Sequence, residues 1–407
     1  MKLLSQTIRL YRDAYSGHPK EVWALGVLTL INRMGTMVLP FLSVYLTTEI
    51  GFSLQETGFI ASAFGLGSLG GSYFGGKLSD NIGANRVIVI SLMGSGILLI
   101  CLQFLTDFYT LFGLVLVTSL FGEAYRPAMS TAVGNYVSKL ATGRSMAFLR
   151  LAINVGMSAA PALGGFVAVS IGYFGLFWID GITCISAGFY FFFISRNWKE
   201  KEENIDHDNT ETTDKNNELP PYKNSSYLIF LTTALLMGIG FTQWFHTVPV
   251  FLKTEWHFNE FHIGLLMATN SVLIVLFEMP IIHSIEKAGK VRLYLRIGLL
   301  FMALSFLPML FWEGVVMCLL GILLFTAGEV LFFPFNNSIA LNMSPQNKRG
   351  EYMAWYWMAW SLTSIIGPTL GFSMIELVGY TYFWLFTASL VFFSFLINIR
   401  FGSQKSP

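Results

Sequence analysis

Long apolar blocks, each closed by a short charged or Gly/Pro-rich break, run through the whole chain. Read between the charged breaks they fall at approximately 22–47, 54–79, 85–106, 109–137, 143–171, 174–195, 226–251, 259–285, 291–312, 315–341, 349–376 and 380–400, twelve in all. Each meets the length, about 20 residues, that a helix needs to cross the hydrocarbon of a bilayer. None shows the alternation of a barrel strand, and a backbone in lipid has to bond within its own segment. The pattern predicts an all-α membrane protein of twelve transmembrane helices. The one long polar stretch, 197–225, is rich in Asn, Lys, Glu and Asp and cannot bury enough apolar surface to fold. It reads as a flexible linker between a six-helix bundle over 1–196 and a second over 226–407.

The two bundles read as copies of one template. Glu49, Phe52 and Gly58 return 206 residues later as Glu255, Phe258 and Gly264. Asp80, Gly83 and Arg86 return as Glu286, Gly289 and Arg292, and Gly122-Glu123 as Gly328-Glu329. After one inserted residue, Pro161, Gly164, Gly172 and Tyr173 return as Pro368, Gly371, Gly379 and Tyr380. An offset held this long points to duplicated, pseudo-symmetric halves. Such halves enclose a substrate site in many membrane transporters.

Composition narrows the class further. With 54% hydrophobic and 12% charged residues, the chain has roughly half the charge of a soluble domain. Lys and Arg gather in the breaks of one side, while only Lys253 falls on the other, so both termini are expected in the cytoplasm and the protein in the cell membrane. The net charge of +1, spread over membrane-flanking loops, points to no nucleic-acid partner. The expected partners are the lipid bilayer, a small-molecule substrate and protons, with the chain a monomer.

Several spellings lose their force in context. Gly65-Leu66-Gly67-Ser68-Leu69-Gly70 fits a dinucleotide loop, yet it lies inside an apolar span with no strand before it. Gly67, Gly71 and Gly75, four apart, mark instead a helix face where a neighbour can approach closely. Cys101, Cys184, Cys318 and the six His show no ligand spacing, so neither a metal nor a cofactor is expected. With no Ser/His/Asp grouping or phosphate loop, the reading points away from an enzyme.

Between the second and third spans stands Gly75-Gly76-Lys77-Leu78-Ser79-Asp80-Asn81-Ile82-Gly83-Ala84-Asn85-Arg86, with a weaker copy from Glu286 through Gly289 to Arg292. This resembles the cytoplasmic loop motif of the major facilitator superfamily, departing at Asn81, where that family usually has a basic residue. The resemblance implies the major facilitator fold and gives Gly76, Asp80, Gly83, Arg86, Glu286, Gly289 and Arg292 a gating role. Gly122-Glu123-Ala124-Tyr125-Arg126-Pro127 and the Gly/Pro-rich fifth span are similar to the drug:proton antiporter branch. Asn32-Arg33 in the first span is similar to proton-coupled oligopeptide transporters, but their two glutamates before the arginine are missing.

Ionisable residues at bilayer depth cost at least ~2.5–3.5 kcal/mol each, so they mark partners or a watery cavity. Arg33, Glu123 and Glu329 fall near mid-span, with Arg126 and Arg150 nearer the cytoplasm. Glu123 and Arg126 share a helix face. Glu123 is read either as a proton-coupling carboxylate tuned by Arg33 or Arg126, or as half of a permanent pair stapling spans 1 and 4. Glu329 has no cation on its own span and is the second proton-coupling candidate. Arg150, Asn154, Gln243, His246, Asn336, Tyr356 and Trp360 are candidates for the substrate cavity, Tyr356 and Trp360 being four apart on one face. The expected function is secondary transport by alternating access, as proton-coupled efflux of small organic compounds. The alternative is a proton-coupled importer of a nutrient such as a peptide or anionic metabolite, favoured by Arg33, Arg126 and Arg150.

Overall fold

The computed structural model describes residues 18–136, 139–196, 198, 219–288, 290–345 and 348–401. The stretch 1–17 and most of the linker expected over 197–225 lie outside them. All regular structure among the described residues is helical. In chain order the helices are α1 Lys20–Met34, α2 Val38–Tyr45, α3 Leu54–Ile82, α4 Ala84–Leu102, α5 Phe108–Tyr136, α6 Lys139–Ile171 and α7 Tyr173–Ser195. They continue with α8 Ser225–Thr254, α9 Glu260–Ala288, α10 Val291–Leu304, α11 Val315–Asn342 and α12 Arg349–Phe401.

Ten stretches among the described residues are long and apolar enough to cross a membrane. The 29-residue α3 has the length but, rich in Gly and Ser, is not among the ten. Glu351–Arg400 counts as one stretch, although Gly379 at φ 77° and ψ 170° interrupts α12. The first span differs from expectation. Its helix stops at Met34 and restarts at Val38, and a π turn over Leu46–Ile50 ends it.

The chain forms two compact units, one of Met1–Lys201 with Phe245–Pro280, the other of Glu202–Trp244 with Ile281–Pro407. In the first unit α3 meets α5 closely at three glycines. A Cβ at Gly67 or Gly71 would overlap the carbonyl oxygens of Leu116 and Leu120, and one at Gly75 would overlap Ala124. The four-residue glycine repeat is therefore a backbone-to-backbone contact, as the spacing predicts. Ser119 Oγ adds a hydrogen bond to the Phe64 carbonyl across it. One core of this unit joins Leu25 and Leu28 from α1, Ile88 and Leu92 from α4, Ala132 and Val133 from α5, and Phe191 from α7. Another contact joins α6 to α9, where a Cβ on Gly165 would overlap the Glu260 carbonyl and one on Gly264 that of Pro161. In the second unit, Gly298 on α10 and Gly328 on α11 make a similar approach. Tyr227, Phe230, Ala340, Tyr352 and Tyr356 form a core there.

The sequence repeat is also a repeat of backbone geometry. The Phe52 N–H donates to the Leu46 carbonyl at 3.0 Å, and 206 residues later the Phe258 N–H donates to that of Leu252 at 2.9 Å. Between each pair lies one residue of positive φ, Gly51 at 81° and His257 at 53°. This closure satisfies carbonyls that a helix end leaves free. Each turn then caps the next helix with a side chain, Ser53 accepting from the Glu56 N–H and Asn259 from that of His262. Further on, Gly172 (φ 81°, ψ 174°) and Gly379 (φ 77°, ψ 170°) precede matching tyrosines in the same conformation.

These contacts give opposite expectations for two neighbouring glycines. Gly71→Ala should lower the thermal midpoint of the purified protein, because overpacking costs about 1–3 kcal/mol. Gly70→Ala should leave it unchanged or slightly raised, since its Cβ would meet only Leu120 Cδ1, at an ordinary 3.6 Å. Equal midpoints for the two variants would remove the bare-backbone account of the α3–α5 contact.

Candidate functional site

The break in the first span organises the polar interior of the first unit. At the end of α1 the Gly35 N–H donates to the Ile31 carbonyl and the Thr36 N–H to that of Arg33, so the chain turns out of the helix there. When α2 begins, its leading N–H groups have no preceding turn to bond to. Asp180 on α7 supplies the acceptor. The Met37 N–H lies 2.9 and 2.8 Å from its Oδ1 and Oδ2, and the Val38 N–H 2.7 Å from Oδ2. Asp180 is 2% exposed, and no ion pair among the described residues includes it. Gly35 permits the approach, because a Cβ there would meet Thr183 on α7.

Beside the break lies a cluster of charges. Glu123 on α5 is 7% exposed and pairs with Arg126, one turn on, at 2.6 Å. The Arg126 side chain is 63% exposed. Arg33 on α1 lies within electrostatic reach of both, and its Nε is buried without a hydrogen-bond partner among the described residues. A Cβ on Gly156 would overlap Arg33 Cβ, so α6 holds the arginine stem directly. Thr29 bonds the Tyr125 hydroxyl at 3.0 Å, and Asn32 reaches Cys184 Sγ at 3.5 Å. The Glu123–Arg126 pair is thus intrahelical, with Arg33 of the first span within electrostatic reach of it.

Two further contacts belong to this unit. His246 Nδ1 lies 3.3 Å from Ser43 Oγ on α2. At the α6–α9 contact, Glu260 accepts from the Tyr173 hydroxyl at 2.7 Å and pairs with Lys253, also at 2.7 Å.

The second unit carries an aromatic group. The Trp360 ring lies 4.9 Å from Phe333 and 6.4 Å from both Phe241 and Tyr356. Asn336 Nδ2 donates to the Tyr356 hydroxyl at 3.3 Å. The Tyr356, Trp360 and Asn336 predicted from sequence therefore come together. Gln243 is fully buried and its amide joins helices, donating to the Ile239 carbonyl at 2.8 Å and to that of Gly367 on α12 at 3.0 Å. Glu329 is half-buried on α11, next to Gly328 at its contact with α10.

With this geometry in view, the sequence matches the model of the Major Facilitator Superfamily over residues 25–259 and 247–407. The chain belongs to the major facilitator superfamily. Among relatives it is 22% identical to a Na(+), Li(+), K(+)/H(+) antiporter of Planococcus maritimus, over 88% of this chain and 93% of that protein. It is 28% identical to the multidrug resistance protein MdtG of Citrobacter koseri, over 44% of each. A crystal structure of a POT family transporter in complex with 5-aminolevulinic acid shares the fold at a TM-score of 0.77 and 16% identity, over 95% and 97% of the two chains. Membership makes this a transporter embedded in the membrane, and the antiporter and multidrug names agree with the drug:proton antiporter branch that the fourth and fifth spans resemble.

The superfamily loop is described in part. Gly83 caps α4 at φ 90°, a conformation that favours glycine, and a Cβ on Gly76 would meet Pro127 at 3.8 Å. Arg86 and Arg292 are exposed. The side chains of Asp80 and Glu286, and all of Gly289, lie outside the described residues, as does the side chain of Arg150. Asn154 is half-buried on α6, where its carbonyl accepts from Ser158 Oγ. Asp180 is absent from the residues predicted from sequence. An acid within the apolar block 174–195 is, however, the same signal that singles out Glu123. No sequence pattern joins Lys253, Glu260 and Tyr173, because they fall at span ends, where polar groups are commonplace.

The amide of Gln243 gives a measurable expectation. Gln243→Leu should destabilise the purified transporter by about 0.6–1.7 kcal/mol, the range of interhelical hydrogen bonds in membranes. Thermal unfolding measures this. A weakened substrate affinity at unchanged stability would instead make Gln243 a substrate ligand.

Proposed function

We propose that this member of the superfamily works by alternating access as a proton-coupled exporter of small organic compounds. In this reading twelve spans form two six-helix bundles, 1–196 and 226–407, tethered by a cytoplasmic linker over 197–225, and the chain acts as a monomer with both termini in the cytoplasm. Glu123 and Glu329 are the proton carriers. The observation that carries the reading is the Glu123–Arg126 pair at 2.6 Å, a buried carboxylate held by an arginine that is itself largely exposed. Such a pair can exchange its arginine for a proton when water or substrate reaches it, and the proton then neutralises a charge that is expensive in a span. Moving one charge through 100 mV supplies ~2.3 kcal/mol, enough to drive a substrate uphill. The aromatic group around Trp360, with Asn336 and Tyr356, suits flat or cationic organic molecules.

A second reading has its own support. Arg33, whose Nε has no hydrogen-bond partner among the described residues, and the exposed Arg126 offer two cations to a substrate carboxylate or phosphate. That favours import of a peptide or an anionic metabolite, and Arg150 would add to it.

Inverted and right-side-out vesicles under an imposed pH gradient separate the two readings. Export predicts proton-driven accumulation in inverted vesicles, and import predicts it in right-side-out ones. Glu123→Gln and Glu329→Gln are each expected to abolish accumulation against a gradient. Wild-type gradients in both variants would sink the proton-carrier assignment.

A further inference from the structure

Asp180 holds α2 by its backbone, and no ion pair among the described residues includes it. Both carboxyl oxygens accept from the Met37 and Val38 N–H groups, and the side chain is buried in a span. Its titratable surroundings are sparse. Cys184 stands one turn along α7, Arg33 comes from α1 and Tyr125 from α5, with the Glu123–Arg126 pair beyond. At the contact with α4 the neighbours are Gly96 and Ile100 against Gly181, and α2 brings its backbone.

We propose that Asp180 is a proton-binding site whose occupancy sets how firmly α2 is held at the break in the first span. When a proton from water binds Oδ1, an O–H bond forms, that oxygen turns from acceptor to donor, and the bonds to Met37 and Val38 lose their charge-assisted character. Release of the proton to water restores them. The effect reaches a candidate cavity residue directly, because α2 carries Ser43, the partner of His246. A protonated Asp180 lets α2 tilt at Gly35–Met37, and an ionised Asp180 locks it.

The inference rests on reading the chain as proton-driven, so its test is read out apart from transport. Infrared difference spectra of the purified full chain in liposomes, between acidic and alkaline pH, report protonated carboxyl groups. A carboxylic-acid band lost at alkaline pH, absent from Asp180→Asn and shifted in Asp180→Glu, is the expected result. Superimposable difference spectra for wild type and Asp180→Asn would overturn it. Should neither variant be recoverable, carbon-13 labelling of aspartate in the wild type reads the same band. Asp180 is the buried aspartate among the described residues, and the absence of any pH-dependent labelled band of a buried acid would overturn the proposal. In vesicles, Asp180→Asn should reduce the proton-driven substrate gradient to about one while substrate exchange at equal pH persists. A wild type that builds no gradient would remove the proton-driven reading, and the infrared band would still decide whether Asp180 binds a proton.

Discussion

A backbone amide that leaves its helix inside hydrocarbon finds no water to bond, and each such group left unsatisfied costs several kcal/mol. The first span does leave its helix, between Met34 and Val38, so the unit around it has to deliver an acceptor to that point. Asp180 meets this demand, and the helices around the break are arranged accordingly. Position 35 lacks a side chain so that Thr183 can sit against it, and position 156 lacks one so that α6 can lie on Arg33. The charged cluster of Arg33, Glu123 and Arg126 is therefore assembled next to a break that is itself held by a buried acid. Discontinuous helices of this kind are where transporters commonly build their sites.

The helical class, the ends of most spans and the close face of Gly67, Gly71 and Gly75 were legible because lipid imposes so few solutions on a backbone. Charges at depth were legible for the same reason, and Glu123 with Arg126 emerged paired. Which partner Glu123 would take was not legible, since that depends on side-chain rotamers within one turn. The break in the first span was hidden because the apolar block 22–47 runs on through Gly35 and Pro40. Gln243 reads as a polar group free for substrate, but a carbonyl on a helix more than a hundred residues away claims its amide. Contacts of that range leave no periodicity in a single sequence.

The repeated turn shows which parts of a duplication are held by physics. Gly51 has become His257, and Ser53 has become Asn259, yet the six-residue closure and the side-chain cap survive in both copies. Ser and Asn are interchangeable as caps, so that position can drift. A histidine at positive φ pays a conformational cost that glycine avoids, and it persists because the surrounding hydrogen bonds fix the turn.

The seam between α6 and α9 has a mechanical corollary. Gly165 and Gly264 bring bare main chain against bare main chain, so no side chains interdigitate at those points. Closing such a surface freezes almost no rotamers, and parting it frees almost none. At those two points, smooth as facing plates, the helices carry no knobs to unlock. Beside this seam the Tyr173 hydroxyl of α7 reaches across to Glu260 on α9, a single polar latch next to a surface otherwise bare at its two glycines.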